Sequence, residues 1–127
     1  APFVPAKAGE PPSPTGLVER DKQVEIMARL VLMRLEAKEL NDANLGGIAR
    51  YVNDKDVGPR LQALNVLGLM GQAGAKKLDD VVRALAAKED EVVVAAVTTL
   101  VQFGPPGKAA IPEVERLRTR GTTPEER

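Results

Sequence analysis

Displaced by 33 positions, this chain falls on itself. Leu61, Leu64, Leu67 and Gly71 land on Val94, Val97, Leu100 and Gly104, while Ala63 lands on Ala96 and Met70 on Phe103. In the following segment the register holds through three copies: Leu45, Leu78 and Ile111; Ile48, Val81 and Val114; Arg50, Arg83 and Arg116. A fixed period of this length, carried by apolar residues at helical spacing, is built from helix–turn–helix units. One such pair cannot bury its own apolar face, but stacked pairs share a continuous core. The expected fold is therefore all-α, a short α-solenoid of about three antiparallel helix pairs. No stretch alternates with period two, so no strand is expected.

The spacing predicts a first helix over about Val18–Leu40 and shorter ones over Asn44–Val52, Val57–Met70, Lys76–Lys88, Asp90–Phe103 and Ala109–Arg120. Asp56 and Asp90 stand where N-caps belong, and their charge suits the helix dipole. Gly71 and Gly104 stand where a helix ends in a residue of positive φ. Residues 1–16 carry five prolines (Pro2, Pro5, Pro11, Pro12 and Pro14) and form an extended, polyproline-like arm. The helical domain runs over residues 17–120, as a capping pair over 17–53 and repeats over 56–88 and 89–120. A polar tail, 121–127, follows; Thr122, Thr123, Pro124 and Glu125 in it have the chemistry of a helix start. The chain opens on Ala rather than Met, which is compatible with an exported protein whose leader has been removed. No apolar run approaches the roughly 18 residues of a membrane span.

Composition then narrows the chemistry. The chain has no His and no Cys. That excludes a Ser-His-Asp triad, a cysteine nucleophile, a Cys/His zinc site and a disulfide frame, so no enzyme activity, cofactor or metal is expected. Lys+Arg and Asp+Glu number 18 each. Such a balance argues against a protein that coats nucleic acid through a basic surface, and against a polybasic membrane-surface domain.

The residues Asp56-Val57-Gly58-Pro59-Arg60-Leu61-Gln62-Ala63-Leu64, followed by Leu67-Gly68-Leu69-Met70-Gly71, resemble the first helix of a HEAT repeat. The second copy, Asp90-Glu91-Val92-Val93-Val94-Ala95-Ala96 closing with Leu100-Val101-Gln102-Phe103-Gly104, resembles it too. Pro105 to Pro112 is similar to the loop and second-helix start of short HEAT-like repeats of the phycobilisome-lyase type. The likeness covers about Leu45 to Leu117. The first helix departs from it, since Lys38 stands where the register asks for Gly, and is read as an atypical cap. The resemblance implies a binding scaffold whose partners are proteins. HEAT-like relatives also include bilin lyases, an iron-dependent hydroxylase and an alkyl-purine glycosylase. The hydroxylase needs His-Glu pairs, and the glycosylase implies an aromatic, basic cleft; this chain has neither Trp nor a basic excess.

Several residues are candidates for holding a partner. Arg50, Arg83 and Arg116 share one repeat position and either grip carboxylates of a partner or pair with Asp80 and Glu113 one turn before Arg83 and Arg116. Tyr51 and Phe103 are either packing residues or, for Tyr51, a contact. The first helix carries more apolar surface than one buried stripe needs, in two rows: Val24, Met27, Val31 and Leu35, and Ile26, Leu30 and Met33, with Leu32 beside them. Whichever of Ile26, Leu30, Met33 and Leu32 stays uncovered is expected to be covered either by the Pro-rich arm or by another chain. Phe3 and Val4 are apolar anchors in an arm that otherwise has few. The acidic turns at Asp54/Asp56 and Glu89–Glu91 lack the ligand spacing of a calcium loop. Lys76-Lys77 reads as a solvated pair, and Gly46-Gly47 as a place of close helix approach. The leading expectation is a non-catalytic protein–protein interaction module, an accessory or scaffold subunit of a larger assembly. The alternatives are a regulatory or lyase-type HEAT-like protein acting on a partner protein, and a weak nucleic-acid binder using Arg116, Arg118 and Arg120.

Overall fold

The computed structural model describes residues 18–120, and these are all-α, with six α-helices and no strand. The helices are α1 (Glu19–Leu35), α2 (Asp42–Ala49), α3 (Val57–Leu69), α4 (Leu78–Ala84), α5 (Asp90–Phe103) and α6 (Ile111–Arg120). The expected arm over 1–16, with Phe3 and Val4, and the tail over 121–127 lie outside the described residues.

The 33-residue period reappears in the helix starts: Val57 and Asp90 open α3 and α5, and Leu78 and Ile111 open α4 and α6. A 3-10 turn leads into each second helix, Gly74–Lys77 before α4 and Pro105–Ala110 before α6. Gly71 and Gly104, one period apart, both take positive φ, 57° and 73°. A Cβ disfavours that region, and glycine there lets the chain reverse without strain.

The first helix is shorter than its periodicity predicts. It stops at Leu35 because Glu36 turns extended (φ −129°, ψ 113°). Asn41 then caps α2, its side chain accepting the Asn44 backbone N–H at 2.9 Å, while Asn44 Nδ2 donates to the Glu39 carbonyl at 2.7 Å. The second helix accordingly begins at Asp42, two residues ahead of expectation. At α5 the N-cap position falls on Glu89, leaving Asp90 as the first helical residue, where its charge still faces the helix dipole. Asp56 holds the N-cap position of α3 without a side-chain cap bond, because its carboxylate is engaged elsewhere.

The helix α3 lies at the centre, packed against α1 on one side and α5 on the other, with α2 also against it; α4 packs on α5. Ile26 and Met33 of α1, Leu45 and Ile48 of α2, Leu64 and Leu67 of α3, Val81 of α4, and Val92, Ala96 and Phe103 of α5 form one buried cluster. Burial of each large aliphatic group there contributes about 1.5–3 kcal/mol. The buried Thr99 hydroxyl faces the carbonyls of Leu64 on α3 (2.9 Å) and Ala95 on its own helix (2.8 Å), which ties α5 to α3 by a polar contact.

Candidate functional site

The two apolar rows of α1 divide between inside and outside. Ile26 and Met33 are buried and Leu30 is packed against the core. The expectation that Ile26, Leu30 and Met33 are left for a partner is thus corrected, because they face α2 and α3. The uncovered row is the other one: Val24, Met27, Val31 and Leu35 are 55%, 42%, 50% and 76% exposed, and Leu32 beside them is also exposed. Val24, Met27, Ala28 and Val31 floor a shallow groove of about 500 Å³, rimmed by Arg20, Gln23 and Gln62 of α3. Helical spacing fits both rows equally, and only the positions of α2 and α3 decide between them.

A polar hub sits on the adjoining side of α1. Glu25 accepts hydrogen bonds from Tyr51 Oη (2.6 Å), Arg50 Nη2 (2.8 Å) and Arg29 Nε (3.0 Å). Arg29 also donates through Nη1 to Asn44 Oδ1 at 2.8 Å. The Arg50 guanidinium carbon lies 4.7 Å from the Tyr51 ring centre, in cation–π range. Burial pushes the Glu25 carboxyl up, but the hydrogen bonds from Tyr51 and Arg29 and the charges of Arg50 and Arg29 outweigh it and hold its pKa below the ordinary value. Burial, and then the bond to the Glu25 carboxylate, push the Tyr51 phenol up to about 12.

The three arginines of the repeat position therefore do not act alike. Arg50 is engaged with Glu25 across the α1–α2 boundary, Arg83 pairs with Asp80, and Arg116 reaches Glu113 at 3.4 Å. They converge on no common carboxylate among the described residues. Tyr51 is a core residue, 2% exposed, so its ring is not on offer to a partner. A smaller depression of about 150 Å³ lies between α4 and α6, lined by Val82, Leu85, Ala86, Glu113, Arg116 and Leu117. Of Gly46 and Gly47 only Gly47 is crowded, and by a side chain: a Cβ there would lie 2.4 Å from the Arg29 guanidinium carbon, whereas one at Gly46 would meet only Lys77 Nζ at 3.8 Å.

Lys22 is a feature the sequence reading missed. It is fully buried, and its Nζ donates to Asp54 Oδ2 at 2.9 Å and Asp56 Oδ2 at 3.1 Å. Burial pushes the ammonium down, yet the bonds to the two aspartates and their charges outweigh it and raise its pKa above the usual lysine value. The acidic turn before α3 thus closes on a cation of the chain itself. Lys22 shares the i, i+4, i+7, i+11 face of α1 with Ile26, Arg29 and Met33, and a lysine on an inward face needs an anionic partner, but the sequence left open which face is inward. At the same, N-terminal end of α3, Arg60 Nη1 bonds Glu89 Oε1 at 3.1 Å and so links the two repeat starts.

Among the described residues no group of three or more His, Cys, Asp or Glu is placed to hold a metal ion, and no helix is long and apolar enough to cross a membrane. Comparison of the chain with family models, with curated proteins and with solved structures gives no match in any of the three.

Proposed function

We propose that this chain is a non-catalytic protein–protein interaction module, an accessory or scaffold subunit built as a short HEAT-like α-solenoid. The solenoid reading draws support from the packing order, in which α3 joins α1 to α5, and from helix starts that recur 33 residues apart, Val57 with Asp90 and Leu78 with Ile111. The functional reading rests on one observation: a continuous apolar row, Val24, Met27, Val31 and Leu35, stands open along the outer side of α1 beside a groove with a polar rim. Contiguous apolar surface rimmed by polar groups is the mark of an interaction site. Scattered single apolar residues need no such account.

The test is affinity capture with the tagged full chain from extract of the cells that produce it, run beside Val31→Asp and Arg116→Ala variants. A protein retained by the unmodified chain and by Arg116→Ala, survives a high-salt wash and is lost with Val31→Asp, supports the reading. Capture indifferent to Val31→Asp, or no capture at all, overturns it.

A further inference from the structure

The chain has three methionines and no Cys, Trp or His, so its thioethers are the side chains that a peroxide attacks most readily. The fold separates the three by access. Met33 is 4% exposed and belongs to the buried cluster. Met70, at the C-terminal end of α3, is half-buried and packs on that cluster. Met27 is 42% exposed, lies outside the cluster, and floors the α1 groove with Val24, Ala28 and Val31. A thioether is a flexible, polarisable apolar group that suits such a floor. Its sulfoxide is polar and accepts hydrogen bonds.

We propose that Met27 is a redox-modification site: hydrogen peroxide converts it to the sulfoxide in the folded chain ahead of Met70 and Met33, and the product turns the groove floor from apolar to polar without unfolding the protein. In the step a sulfur lone pair attacks one peroxide oxygen, the O–O bond breaks and an S–O bond forms. The sulfur gives up two electrons, and the departing hydroxide takes the proton left on the transferred oxygen and becomes water. Two thiols of a reductant reverse the change, giving the thioether, a disulfide and water. Position keeps the effect local. Met27 stands one helical turn from both Val24 and Val31, so a sulfoxide there cuts the open row in two. The same reaction at Met33 would set a polar oxygen inside the buried cluster and cost the fold. The consequence for binding rests on the reading of this face as an interaction surface: the oxidised chain no longer presents the continuous apolar row that a partner would cover.

The test is a time course of the full chain in hydrogen peroxide, each methionine followed by peptide mass spectrometry. Met27 is expected to oxidise at least about tenfold faster than Met33, with Met70 between them, and the three rates to converge within about twofold in concentrated guanidinium chloride. Once Met27 alone is converted, the melting temperature stays within about 3 °C of the unmodified chain, and the protein leaves a phenyl column earlier. Met27→Leu keeps the volume and apolarity of the floor, and its retention does not shift under the same treatment. Native rates that match one another, loss of the fold as Met27 is converted, or retention unchanged by oxidation overturns the proposal. Capture of a protein that proves indifferent to Val31→Asp removes the interaction reading alone and leaves the modification site standing.

Discussion

Replacing Lys22 by Met tests whether α1 is held to the turn before α3 by charge. Met keeps most of the stem that packs beside Ile26 and removes only the ammonium. Two hydrogen bonds to carboxylates are lost, at 2.9 Å and 3.1 Å, each worth about 1.5–3 kcal/mol when one partner is charged. Part of that loss is offset. Asp56 keeps Lys55 at 3.3 Å and is a quarter exposed, and Asp54 Oδ2 still accepts the Asp56 backbone N–H at 3.1 Å. The remaining cost is about 3 kcal/mol, most of it the burden of the Asp54 carboxylate kept from water without its cation. For a domain of about 100 residues that lowers the melting temperature by roughly 12–15 °C, read by circular dichroism at pH 7. Linkage gives the result a second signature. The Asp56 pKa is depressed: burial pushes it up, but bonds to Lys22 and Lys55 outweigh that, so its stabilising contribution is present above the ordinary 3.8 and lost as pH falls through the lowered value. The Lys22 pKa is raised, so its contribution is complete below 10.5 and lost only as pH rises beyond that. The gap between the unmodified chain and Lys22→Met should be widest between about pH 4 and 10.5 and should narrow as pH drops below 4. A melting temperature within about 3 °C of the unmodified chain at pH 7, or a gap that is the same at pH 3 as at pH 7, would refute the reasoning.

Other sites give simpler tests. Glu25→Gln removes the charge shared by Tyr51, Arg50 and Arg29; the Tyr51 phenol should titrate well below about 12, followed by its absorbance near 295 nm, with a stability loss of about 1–2 kcal/mol in urea unfolding. Gly74→Ala and Gly47→Ala should differ in cost. The first puts a Cβ 2.1 Å from the Leu67 carbonyl oxygen, a backbone atom that cannot step aside, whereas the second meets the movable end of Arg29 at 2.4 Å. Urea midpoints should show Gly74→Ala costing at least about 2 kcal/mol and Gly47→Ala about 1. Thr99→Val should cost about 1 kcal/mol through the lost α5–α3 hydrogen bond, and a variant as stable as the unmodified chain would remove that bond from the account.

What the sequence made legible was local. The start of α3 at Val57, the whole of α5 and the positive φ of Gly71 and Gly104 follow from periodicity and glycine, both of which act within a few residues. What it hid depends on contacts between distant segments. The end of α1 carries no Gly or Pro signal, and the helix stops because Asn41 and Asn44 organise the next turn. Asp56 has the chemistry of an N-cap but bonds Lys22, 34 positions earlier, an arrangement that needs α1 docked on the turn before α3. Arg50 shares its repeat position with Arg83 and Arg116, yet it alone has Glu25 of α1 beside it. The choice of α1's inner row was out of reach for the same reason: Ile26 and Val24 fit the helical period equally well, and the neighbours decide.

The central place of α3 sets the order in which the molecule comes apart. A helix with neighbours on both sides cannot expose its amides until one neighbour leaves, whereas an end helix opens alone. Exchange of backbone hydrogens with solvent should therefore be slowest at Leu64, Val66 and Leu67, buried between α1 and α5. It should quicken toward α6, whose firmest contact is the short 3-10 turn that leads into it. Stability along this chain is then a gradient with a protected middle. A substitution at the margin would be felt as a local rise in opening, long before the whole fold is lost.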